Sequence, residues 1–60
     1  MKIIPATYHQ IPGKRDYIVF AGTAEQAAAA YQNRYGRNPE TVYQVKMHPT
    51  GETVIYCEVT

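Results

Sequence analysis

Apolar positions between residues 23 and 35 recur at the helical period. Ala24, Ala27, Ala28, Tyr31 and Tyr35 fall on one stripe, and Glu25, Gln26, Gln32 and Asn33 lie on the other side. Thr23 with Gln26 three residues on is the T-x-x-Q form of the capping box. Glu25 stands in the first turn and Arg34 in the last, each with the sign the helix dipole favours. Gly36 offers the left-handed residue that ends a helix, and Pro39 blocks any continuation. These signals predict one helix, Thr23 to Tyr35.

The rest of the chain holds four strand-like runs. Met1 to Gln10 is strand-like, although Pro5 inside it fits only an edge strand or a bulge. Asp16 to Ala21 is rich in strand formers and runs directly into the helix cap. Glu40 to Met47 and Thr53 to Val59 both alternate. Pro12-Gly13 is a turn dipeptide that predicts a first hairpin with Lys14 and Arg15 at its tip. His48-Pro49-Thr50-Gly51-Glu52 predicts a second, with Gly51 left-handed. The expected fold is a single α+β domain over residues 1–60, of order ββαββ. One helix would cover one face of a four-stranded, largely antiparallel sheet. Strand order does not follow from the pattern, but the helix between the second and third strands permits a parallel crossover.

Alternation also assigns faces. Ile18, Phe20, Tyr43, Val45, Met47, Ile55, Cys57 and Val59 are expected beneath the helical stripe. Tyr17, Val19, Val42, Val54 and Tyr56 then point the other way, joined by Tyr8 from the first segment. A sheet with one free face ordinarily keeps that face polar, and this set is not. Either a partner covers the patch, or the first segment or a loop folds across it.

Composition sharpens the functional question. The chain has six tyrosines, one phenylalanine and no tryptophan, so its aromatic surface carries hydroxyl tips. A net charge of +1 with 18% charged residues argues against a dedicated polyanion binder. No apolar run approaches the ~20 residues of a membrane span, and Pro5 cuts short any signal-peptide core. One cysteine excludes an internal disulfide and fits a reducing, cytoplasmic setting. A domain this short buries only ~60% of its unfolded surface, so an extra contact would help it.

Candidate chemistry is sparse. His9, His48 and Cys57 are the best soft or borderline metal ligands, but alternation separates His48 from Cys57, so no metal site is expected. A lone inward cysteine is more often a small hydrophobe than a nucleophile. Asp16, Glu25, Glu40 and Glu52 lie at element ends or turns, and Glu58 on the outer face is within cross-strand reach of Lys46. No phosphate loop or serine elbow is present, so neither cofactor nor catalysis is expected.

The expected role is protein binding, with self-association as a homodimer or with a heterologous protein. Tyr8, Tyr17, Val19, Val42, Val54 and Tyr56 are the expected contact residues. By analogy of size and class alone, small phage and mobile-element accessory proteins that inhibit a host protein have this character. The alternative is a nucleic-acid-binding module using sheet tyrosines with Lys14, Arg15, Arg34 and Arg37.

Overall fold

The computed structural model describes residues 1–59. Strand β1 (Lys2–Ala6) is followed by a short 3-10 turn, Tyr8–Gln10, then β2 (Asp16–Ala21), helix α1 (Ala24–Tyr35), β3 (Thr41–Lys46) and β4 (Thr53–Val59). The four strands form one mixed sheet in the order β1-β3-β4-β2. The result is the expected ββαββ domain, with α1 packed on one sheet face.

The helix begins and ends as its sequence signals require. The Gln26 amide donates to Thr23 Oγ1 at 3.2 Å, and the Thr23 amide donates to Gln26 Oε1 at 3.1 Å. Gly36 takes φ 73° and its amide donates to the Gln32 carbonyl at 2.7 Å. Gly22, between β2 and the cap, adopts φ 110°, a backbone state closed to ordinary L-residues. A Cβ there would also strike the Gln26 carboxamide that closes the cap.

Topology departs from the expected pair of hairpins. β3 pairs antiparallel with β4, and β4 pairs antiparallel with β2. β1 pairs parallel with β3, from Lys2 opposite Thr41 to Ala6 opposite Val45. β1, β2 and β3 therefore run the same way, and β1 and β2 occupy opposite edges. The first hairpin does not exist. Its turn residues belong instead to a crossover, residues 7–15, that traverses the sheet on the face away from α1. The physical reason lies in β1: an edge position suits Pro5, and β3 supplies a parallel neighbour for the amides that remain. The helix carries the chain back, joining β2 to β3 with β4 inserted between them.

The second hairpin corrects the assignment of faces. Its loop spans residues 48–51, closed by the Met47 amide on the Glu52 carbonyl at 2.8 Å, with Gly51 at φ 76°. That even-numbered loop pairs odd positions of β3 with even positions of β4: Tyr43 opposite Tyr56, Val45 opposite Val54, and Val42 opposite Cys57. A loop one residue longer would have put Tyr43 and Val45 on the helix side, as the alternation suggested. Register slips of one residue invert every side chain. Val42 is thus a core residue at 0% exposure rather than a contact residue on the free face. Tyr43, Val45 and Met47 belong to the crossover face.

Beneath α1 the core consists of Ala24, Ala27, Tyr31, Val42, Ile55 and Cys57, flanked by Ile18, Phe20 and Val59. The alanines bring the helix backbone close to the sheet, and Tyr31 alone fills the volume they leave. Tyr35 stays at the rim, 37% exposed, with its ring 4.7 Å from that of Tyr31.

Candidate interaction surface

Four tyrosines meet on the crossover face. Tyr8 lies edge-on to Tyr56 with ring centres 6.4 Å apart. Tyr56 in turn meets Tyr17 at 6.1 Å, and Tyr17 meets Tyr43 at 5.9 Å, both edge-to-face. Such geometry sets the positive ring edge against the negative face of its neighbour. Three of the rings come from adjacent strands β2, β4 and β3, and the crossover contributes the fourth. The Tyr17 hydroxyl donates to the Pro12 carbonyl at 2.8 Å, tying the crossover to the sheet. Partial burial, with Tyr43 and Glu58 close by, pushes the Tyr17 phenol above its ordinary value of 10.0, while Arg15 pulls it back.

Under this row the face is dry in two places. Val45 is fully buried between Ala6 and Val54 of the neighbouring strands. Glu58 is buried as well, opposite Tyr17, and its Oε1 accepts from Arg15 Nη1 at 2.6 Å. Lys46, the expected partner of Glu58, pairs in register with Thr53, far along the ladder. Arg15 serves instead because it immediately precedes β2, beside the end of β4. Alternation places Glu58 outward from Cys57 and Val59, so no local signal announced its burial, which depends on the crossover over that face.

The crossover leaves part of the face open. A cleft of about 370 Å³ runs between it and the sheet, walled by Tyr8, Ile11, Pro12, Tyr17 and Tyr56. Beside it Val19 is 53% exposed, and Tyr8 57%. Of the expected contact residues, Tyr8, Tyr17, Val19, Val54 and Tyr56 share this face and Val42 does not. Ile11, Pro12 and Tyr43 are additions, because they depended on the crossover and the hairpin register. β2 further exposes one unpaired edge, six residues without proline or lysine. The opposite edge, β1, carries both Lys2 and Pro5.

The basic residues do not gather into one patch. Arg15 is committed to Glu58, while Arg34 and Arg37 sit over the Tyr35 ring at 5.7 and 5.9 Å, on the helix. Lys14 is exposed in the crossover. Cys57 is fully buried, and that burial raises its thiol above the usual value. Among the described residues no three His, Cys, Asp or Glu side chains assemble as a metal site, and no helix is long and apolar enough to cross a membrane. No protein-family model, curated protein or solved structure matches the chain.

Proposed function

We propose that this chain is a non-enzymatic protein-interaction module, and that its docking surface is the tyrosine face together with the β2 edge. The carrying observation is the asymmetry of the two edges. β1 has a proline and a lysine, the usual deterrents to added strands, whereas β2 has neither and exposes Val19 beside the cleft. An incoming strand can complete the backbone hydrogen bonds of β2 while its side chains meet Val19, Tyr17 and Tyr56. Tyrosine suits such a surface because it combines contact area with a hydrogen-bonding tip.

A second copy of the chain is the occupant proposed. Two β2 strands related by a two-fold axis pair antiparallel, joining two four-stranded sheets into one. The added burial is what a domain of this length most lacks. The nucleic-acid alternative is weaker, since Arg15 is held by a buried carboxylate, while Arg34 in α1 and Arg37 just past its end both lie against the Tyr35 ring of that helix.

Sedimentation equilibrium from micromolar to millimolar concentration tests the proposal. Wild type is expected to self-associate, and Val19→Asp to stay monomeric with unchanged circular dichroism. A wild type that remains monomeric throughout, or a variant that associates equally well, contradicts it.

A further inference from the structure

The tyrosine cleft already holds a proline-bearing segment, and that segment belongs to the chain itself. Ile11 and Pro12 of the crossover wall the cleft together with Tyr8, Tyr17 and Tyr56. Ile11 has φ −78° and ψ 125°, close to the polyproline II values of about −75° and about +145°. The Pro12 ring fixes its own φ at about −65°. The Pro12 carbonyl accepts from the Tyr17 hydroxyl at 2.8 Å. An extended X-Pro pair laid against aromatic rings is the elementary unit by which proline-rich segments are recognised.

Beside this pair the row keeps groups that the fold does not use. Among the described residues, no hydrogen bond engages the hydroxyl of Tyr8 or Tyr56. Tyr8 is exposed and Tyr56 half-buried. Their ring centres are 6.4 Å apart, and Tyr17 follows 6.1 Å from Tyr56. Two residues of a polyproline II helix advance about 6 Å along its axis, the interval between neighbouring rings of the row. Such a helix makes no internal hydrogen bonds, so its carbonyls are open to donors like these hydroxyls. Charge points the same way. Arg15 is the one lining residue with a permanent charge, and Glu58 accepts from it. The cleft therefore offers an anionic ligand no uncommitted permanent cation, and a neutral peptide needs none.

We propose that the cleft of Tyr8, Tyr56 and Tyr17 binds a proline-rich segment of a partner protein in the polyproline II conformation. Its prolines pack against the rings beside Ile11 and Pro12, and its carbonyls accept from the Tyr8 and Tyr56 hydroxyls. The stiffness of such a segment lowers the entropic cost of docking on a small surface. This inference rests on the interaction role proposed for the tyrosine face. It does not rest on the pairing of two β2 strands, which uses backbone groups at the edge of the sheet.

Blocked decaproline is the probe, with a blocked Gly-Ser peptide of equal length as control. Amide NMR titrations use protein diluted until sedimentation finds only monomer. Decaproline is expected to give saturable shifts at Tyr8, Ile11, Gly13, Tyr17 and Tyr56. Tyr8→Ala, which truncates an exposed side chain, should weaken binding roughly tenfold or more. Tyr8→Phe and Tyr56→Phe keep the rings and lose one hydrogen bond each, so each should weaken it about threefold. The same spectra verify that the variants fold. Shifts no larger than those from the Gly-Ser peptide, shifts that do not saturate, or equal affinity in Tyr8→Ala overturn the proposal. Matching shifts on concentrating the protein alone make a second copy the occupant of the cleft and overturn it too. Self-association without decaproline binding refutes this inference alone, and decaproline binding by a strictly monomeric chain supports it while refuting the β2 pairing.

Discussion

The two faces of the sheet are covered by different means. On one, a capped helix lays Ala24, Ala27 and Tyr31 over Val42, Ile55 and Cys57, all buried. On the other, an irregular crossover lays Tyr8, Ile11 and Pro12 over Tyr56 and Tyr17, which stay half-exposed above a cleft. The difference follows from the backbone. A helix satisfies its own amides and carbonyls, so it can press a continuous apolar stripe onto the sheet. An irregular segment must keep much of its backbone wet, and it covers a face only in places. Side chains on that face then need polar tips: Tyr17, Tyr43 and Tyr56 stand on the sheet, and Tyr8 meets them from the crossover.

The largest effect should come from the helix-covered face. Tyr31 is 1% exposed and is the only large side chain that α1 buries, so Tyr31→Ala should cost about 3–5 kcal/mol in denaturant melts. Gln32→Ala, on the outer side of the same helix, should change little. Equal losses for the two would dissolve the contrast between a finished face and a partial one.

Arg15→Ala should cost less, about 1–2 kcal/mol, because it strands the buried Glu58 carboxylate while the arginine itself is largely exposed. The double variant Arg15→Ala, Glu58→Gln should recover part of that loss. If Arg15→Ala is silent, the ion pair does not hold the crossover down. Thr23→Ala, which removes one cap hydrogen bond, should cost on the order of 1 kcal/mol.

The smallest effect is a pH dependence confined to the crossover face. The Tyr17 phenol is raised in the folded state, so its contribution to stability is complete below the unfolded value of 10.0 and is lost as pH rises through the folded one. Ionisation also removes the proton donated to Pro12. Alkaline titration of stability should therefore fall less steeply above about pH 10 in Tyr17→Phe than in wild type. Cys57 supplies the matching probe of the other face: its buried thiol should react with a disulfide reagent only as fast as the protein unfolds.

The contrast between the faces also explains what could be read from the chain. Helix boundaries were legible because the cap, the stripe and Gly36 are local signals. Four strands were legible, the last two from alternation and the second from its strand-forming residues, with the first ending at Ala6 rather than running to Gln10. Strand phase in β3 was not, because Val42 on one side and Tyr43 with Val45 on the other are both apolar, and each face of the sheet is covered. There the number of loop residues decides, and counting Glu52 into the loop inverts the result. The Pro12-Gly13 dipeptide likewise marks a bend equally well in a hairpin or a crossover. Only the long-range pairing of β1 with β3 distinguishes them. Arg15 and Glu58, 43 residues apart, meet for the same long-range reason.

Hydrogen exchange along the two sheet edges tests the central claim most directly. If the partial face is completed by association at β2, the β2 amides that do not pair with β4 should exchange slowly in concentrated protein and fast in dilute protein. The free amides of β1 should exchange fast in both, and Val19→Asp should make β2 behave like β1. Free β2 amides that exchange as fast as those of β1 at every concentration would contradict the account.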